Sequence, residues 1–153
     1  MQKQLTVVIP AYNTEKYLEH CLQTLLLAER KHDAELIVVD DGSTDNTGRI
    51  AEQYASRYSE LVTVIHKQNG GHGSAINTGI QHATGLYFRV VDSDDWVDTK
   101  AYDTFLKQLS NLTCDLVVTP FVCMKDGKKE LRLVEGLEEI KECGSFLKKK
   151  KSR

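Results

Sequence analysis

The chain has 153 residues, of which 41% are apolar and 27% charged, and its net charge is −2. That is the balance of one soluble globular domain, long enough to bury roughly 68–70% of its unfolded surface, and it excludes collagen-like, disordered and disulfide-scaffold classes. No apolar run approaches the ~20 residues of a membrane-spanning helix.

The first 120 residues alternate strand and helix signals. Leu5-Thr-Val-Val-Ile9 is a short β-branched run closed by Pro10, the signature of a buried strand. Tyr17, Leu18, Cys21, Leu22, Leu25 and Leu26 then fall on one face of a helix running from Glu15 to about Arg30. Glu35-Leu-Ile-Val-Val39 is a second strand and ends in Asp40-Asp41-Gly42-Ser43. Ile50, Ala51, Tyr54, Ala55 and Tyr58 mark a second helix, with Thr44, Asp45 and Asn46 as capping candidates. Leu61-Val-Thr-Val-Ile65 is a third strand, Asn69–Gly73 a turn or loop, and Ala75, Ile76, Gly79, Ile80 and Ala83 a short helix. Leu86–Val91 is a fourth strand, again ending in acid at Asp92-Ser93-Asp94-Asp95. Tyr102, Phe105, Leu106 and Leu109 give a helix face with Asp98 as its cap, and Leu116–Thr119 reads as a fifth strand. Beyond residue 120, Phe121–Met124 and Leu131–Val134 flank an Asp126-Gly127 turn, a hairpin signal. A last amphipathic helix is expected near 137–147. Strands joined by helical crossovers predict an α/β fold, a mainly parallel sheet flanked by helices.

The net charge hides a split. Residues 1–124 carry 10 basic and 16 acidic groups, whereas residues 125–153 carry 10 basic and 6 acidic groups. An acidic main body argues against nucleic acid as partner. The basic tail at 148–153 reads as a solvated terminus, with weak contact to an anionic membrane surface as the sharper reading. Cys21, Cys114, Cys123 and Cys143 form no CxxC pair, so neither a zinc site nor a redox motif is indicated. All four are expected to be buried small hydrophobes. The start, MQKQLTVVIP, does not have the pattern of a secretory signal, and a cytoplasmic location is expected.

In an open parallel sheet, ligands bind beyond the carboxyl ends of the strands. Two strands end there in acid, Asp40-Asp41 and Asp92, Asp94, Asp95. Each close carboxylate pair costs from about 1 kcal/mol in water to about 4 kcal/mol at an effective dielectric of 20. A hard divalent cation with oxygen ligands offsets that repulsion. Taken alone, Asp40–Ser43 reads as a turn with a helix cap, but three acids in four residues exceed what capping needs. Asn69–Gly73 is either a surface loop or a glycine-rich loop that lets a ligand approach backbone N–H groups. It is not a Walker A loop. His72, Tyr12 and Trp96 have ordinary roles as polar loop residue and core or rim aromatics. Near a ligand edge, the aromatics can also stack on a base or a sugar.

Together, Val7–Asn13, Ile37–Asp45, Asn69–Gly79 and Val91–Asp95 resemble the four motifs of a family 2 glycosyltransferase with the GT-A fold, in the family's order and spacing. The resemblance covers residues 4–120. It implies a nucleotide-sugar-binding domain over 1–124 and a partial acceptor-side extension over 125–147. It implies metal-dependent transfer of a sugar from a UDP-type donor to the hydroxyl of a glycan, lipid or protein acceptor, with inversion. It places Pro10, Ala11, Tyr12 and Asn13 along base and ribose, and Asp41, with Asp40 beside it, at the base edge. An ionised carboxylate accepts from the N3–H of uracil or thymine, which cytosine lacks, and also from the N1–H of guanine, which leaves a guanine nucleotide as an alternative. Gly70, Gly71 and Gly73 would lie near the donor, with Asn77 fixing their loop. Asp92 and Asp94 fall in the donor site, and Asp94 and Asp95 become ligands of Mn²⁺ or Mg²⁺, Asp95 the more direct one.

Two departures stand out. Ile76 occupies a position where many members carry arginine. No carboxylate matches the family's catalytic base, since Glu135, Glu138 and Glu139 sit in no matching motif. The alternative reading is therefore a catalytically incomplete nucleotide-sugar-binding module that needs another subunit or self-associates. Asp92-Ser-Asp94 also superficially resembles the nucleophile loop of haloacid-dehalogenase-type phosphoryl-transfer enzymes. That loop follows a first strand and continues to Thr or Val, whereas this one follows the fourth and continues to Asp95-Trp96.

Overall fold

A computed structural model describes residues 2–119, 121–125 and 128–132. The chain divides into two units, Met1–Ser110 and Asn111–Arg153.

The first unit is built on four parallel strands, β1 (Leu5–Ala11), β2 (Ala34–Asp40), β3 (Val62–His66) and β4 (Tyr87–Val90), in the order β3-β2-β1-β4. Helices α1 (Leu18–Leu26), α2 (Thr47–Arg57) and α3 (His72–His82) make the crossovers between them, and α4 (Thr99–Leu109) follows β4. Every residue of β1 is buried, as expected for a strand paired on both edges and covered on both faces. Side chains alternate between the two faces. Val8, Ile37 and Val39 pack with Ala75 of α3, and Ile65 closes that layer. Val7, Ile9, Leu36 and Val38 point to the opposite face and are also buried. The helix on the first side lies unusually close. A Cβ on Gly79 of α3 would sit 2.6 Å from Val8 Cγ2, so glycine is what lets α3 seat on β1.

Helix ends follow local chemistry. Asp98 caps α4 by accepting from Ala101 N at 2.9 Å. At α2 the capping contact comes from Asp45, whose Oδ1 accepts from Thr47 N at 2.9 Å. The third helix starts earlier than its apolar spacing predicts, at His72, because Gly71 takes φ +86° just before it. That positive φ turns the chain sharply out of the loop.

In the second unit, the expected strand at Leu116–Thr119 does not form. A short β-branched run becomes a strand only with a ladder partner, and among the described residues no strand pairs with it. The expected hairpin is present as β5 (Phe121–Lys125) and β6 (Lys128–Arg132), antiparallel, with Lys125 opposite Lys128. Its Asp-Gly turn, the helix expected at 137–147 and the basic tail lie outside the described residues. Of the cysteines described, only Cys21 is buried, while Cys114 and Cys123 are half-buried. Among the described residues, no helix is long and apolar enough to cross a membrane.

Candidate functional site

The strand order places a topological switch beside β1, because the chain adds β2 and β3 on one side of it and then crosses back to add β4 on the other. Ligand clefts form at such points, beyond the carboxyl ends. A cleft of about 470 Å³ lies there. Pro10, Ala11, Tyr12 and Thr14 line it from the end of β1, and Asp41 from the end of β2. Asn69, Gly71, His72 and Ala75 enter from the loop and first turn of α3. Asp92, Ser93 and Asp94 follow β4. The two acidic strand ends therefore share one hollow.

Asp40 and Asp41 are neighbours on a strand edge, so their side chains diverge. Asp41 is 2% exposed. Its Oδ1 faces the Lys67 ammonium at 2.5 Å and accepts from Gly70 N at 3.0 Å. Its Oδ2 accepts from Gly71 N at 2.7 Å. Burial pushes this carboxyl up, but Lys67 and the two backbone N–H groups outweigh it and hold it below the usual carboxylate range. Asp41 is thus an ionised acceptor whose two oxygens each take two contacts, Lys67 and Gly70 on Oδ1 and Gly70 and Gly71 on Oδ2.

Asp40 accepts from Ser43 N at 3.0 Å and faces His66 Nδ1 at 2.8 Å, while His66 Nε2 faces Glu52 of α2 at 2.8 Å. Burial raises the Asp40 carboxyl, and the bonds from Ser43 and His66 bring it below its ordinary value. The hydrogen bonds to Asp40 and Glu52 hold the His66 imidazole above its own. Asp40 therefore ties β2 to β3 and α2, and does not line the cleft.

Asn13 has φ +51°. Its Oδ1 accepts from Thr44 N at 2.8 Å and its N–H donates to Ser43 Oγ at 3.1 Å, which knits the β1 loop to the β2 loop. Gly70 approaches Asp41 through its N–H, and a Cβ there would lie 2.7 Å from Ser74 Oγ. Asn77 is exposed on α3, outside the cleft lining.

At the other end of the cleft, Asp92–Asp95 form a tight turn closed by Asp95 N donating to Asp92 O at 2.9 Å. Ser93 is buried and Asp94 exposed into the cleft. Asp92 Oδ1 is buried with no hydrogen-bond partner among the described residues, and His72 Nε2 stands 3.5 Å from it. Asp95 is exposed and does not line the cleft. Partial burial, then Asp94 and Asp92, push its carboxyl up. Burial and the same three aspartates push the neighbouring Cys21 thiol up to about 12.

This turn concentrates negative charge beside an unpartnered buried oxygen, and hard oxygen donors of that kind suit Mg²⁺ or Mn²⁺. Among the described residues, no three His, Cys, Asp or Glu side chains converge to enclose an ion. That also fits, because such cations are commonly held by one or two carboxylates and completed by ligand phosphates.

The sequence patterns do not single out Lys67 or Thr14, and Asn69 and Ser93 enter only as members of their motifs. Lys67 is the costliest omission, since its position at the end of β3, on the same sheet edge as Asp41, was the available signal.

A parallel sheet flanked by helices, with an acid-lined cleft at its carboxyl edge, is an α/β fold, and its likeness to solved GT-A glycosyltransferases gives the class. The chain belongs to glycosyl transferase family 2, whose sequence model matches residues 6–152. It is 39% identical over 113 residues to the uncharacterized glycosyltransferase EpsJ of Bacillus subtilis, a match covering 74% of this chain and 32% of that protein. Among solved structures it resembles S. aureus TarS 1-349 in complex with UDP-GlcNAc. That likeness has a TM-score of 0.60 and 31% identity, over 71% of this chain and 31% of the TarS 1-349 chain. The Pyrobaculum calidifontis mannosyltransferase PcManGT, solved with GDP-Man and Mn²⁺, shares the fold at TM-score 0.61 and 24% identity, over 69% of this chain and 32% of its own. The chain spans well under half the length of the curated relatives it matches.

Proposed function

We propose that this chain carries the donor-binding part of an inverting, metal-dependent glycosyltransferase. It would take a UDP-type nucleotide-diphosphate sugar and pass the sugar to an acceptor hydroxyl. One observation carries the reading: Asp41 and the Asp92–Asp94 turn, 51 or more residues apart in sequence, line a single cleft.

In this reading the base lies beside Tyr12 with its N–H toward the Asp41 carboxylate, where it would share an oxygen with the Gly70 N–H. The ribose follows Pro10 and Ala11, and the diphosphate runs past Gly71 toward Asp94. Asp94 and Asp92 would hold the cation, and Asp95 would add charge from the same turn. The ion, when bound, offsets charge on the departing diphosphate. The side chains do the positioning. Asp41 fixes the base, the bare backbone at Gly71 admits the phosphates, and Tyr12 shields one side from water. The TarS complex with UDP-GlcNAc supports a uridine donor by likeness alone.

Calorimetric titration with UDP, CDP and GDP, each with and without Mn²⁺, tests the proposal. Binding of UDP that tightens with Mn²⁺ and exceeds binding of CDP is the expected result. Folded protein that binds none of the three removes the proposal. Binding without transfer of labelled sugar would favour the incomplete-module reading instead.

A further inference from the structure

We propose that His72 is a diphosphate-binding residue of this cleft, donating a hydrogen bond to the nucleotide's phosphates from the α3 side. The inference rests on the nucleotide-sugar reading above and adds a residue to it.

Charge in the cleft makes the case first. Its lining includes three carboxylates, Asp41, Asp92 and Asp94, and one side chain able to carry positive charge, His72. Lys67 does not supply the missing cation, because its ammonium is already shared between Asp41 Oδ1 at 2.5 Å and the carbonyl of Gln68 at 2.7 Å. One helical turn further along α3, on the same stripe, the residue is Ile76, which is apolar. A dianionic diphosphate entering here meets carboxylates on most sides, and His72 offers it a ring N–H from the α3 side.

Geometry makes it second. His72 is the first residue of α3, directly after Gly71, where the amide end of the helix already favours an anion. Its Nε2 stands 3.5 Å from Asp92 Oδ1, within ion-pair reach but long for a hydrogen bond, and Asp92 Oδ1 is buried with no hydrogen-bond partner among the described residues. A donor and an acceptor thus face each other across the phosphate end of the cleft without closing on one another. A ligand oxygen bonded to Nε2 on one side and a cation on Asp92 on the other would satisfy both. Because the imidazole is largely exposed, its substitution leaves the core untouched.

The test uses the full chain with Mn²⁺ present and compares UDP with uridine, the latter measured by saturation-transfer NMR competition. His72→Ala is expected to weaken UDP about tenfold, within the range of one hydrogen bond to a charged group, and to leave uridine unchanged. His72→Gln, whose amide retains an N–H donor, is expected to recover part of the loss. Wild-type UDP affinity in His72→Ala, or equal losses for UDP and uridine, would overturn the assignment while leaving the nucleotide reading standing. Failure of the wild type to bind either ligand would instead overturn both.

Discussion

Replacing Lys67 with methionine isolates what holds the Asp41 wall of the cleft together. The substitution keeps the aliphatic stem and removes the ammonium that faces Asp41 Oδ1 at 2.5 Å. Asp41 is nearly fully buried, whereas Lys67 keeps about a fifth of its side-chain surface exposed. Removing one partner of a fully buried pair costs about 3–5 kcal/mol. Here Gly70 and Gly71 still donate to the carboxylate, and the ammonium site is partly solvated. The expected loss is therefore about 2–3 kcal/mol at pH 7. For a unit of this size that lowers Tm by about 8–15 °C. The pH dependence gives a second readout. The folded-state pKa of Asp41 lies below its ordinary value. Its contribution is therefore present above the ordinary carboxylate range and is lost as pH falls through the folded value. Lys67→Met shrinks that contribution, so the gap between wild type and variant should close on acidification. Urea melts at pH 7 and pH 3 measure both effects. A loss under about 0.5 kcal/mol at pH 7, or a gap that widens as pH falls to 3, would refute the claim that this ion pair secures the loop before α3.

Gly79→Ala should cost about 1–3 kcal/mol, because the new methyl overlaps the Val8 side chain in a packed layer; thermal melts report it, and a neutral result would mean that α3 can lift off β1 freely. Asp94→Asn should remove the Mn²⁺-dependent gain in UDP affinity, and Asp95→Asn should keep most of it; calorimetry with both variants reverses the assignment if the ranking inverts. His66→Gln should destabilise by under about 1 kcal/mol, since the imidazole is half exposed. The folded pKa of His66 is raised, so its contribution is complete below the ordinary histidine value and lost as pH rises through the folded one. The variant and the wild type should therefore differ at pH 5.5 and converge at pH 9 in denaturant melts; an equal difference at both would assign His66 a packing role only.

What the sequence revealed about this fold tracks how local each signal is. Val7-Val-Ile9 and Ile37-Val-Val39 are continuous apolar runs bounded by turn residues, and both are strands buried on both faces. Asp98 announces the start of α4 because capping acts within three residues. The run Leu116–Thr119 had the same composition but formed no strand, since composition cannot supply a partner. The site divides in the same way. Acid at two strand ends was visible because α/β topology brings those ends to one edge. Which of two adjacent aspartates faces the cleft depends on the phase of the strand, and Asp41 takes the cleft while Asp40 takes His66. The Lys67–Asp41 pair spans 26 residues and has no local trace at all.

The central position of β1 has a consequence for biosynthesis. It is the earliest strand in this sequence, yet its ladder partners begin at Ala34 on one side and Tyr87 on the other. A nascent chain would hold Val7-Val8-Ile9 uncovered until translation had delivered both flanks, and this oily segment is the one a ribosome-bound chaperone has most reason to shelter.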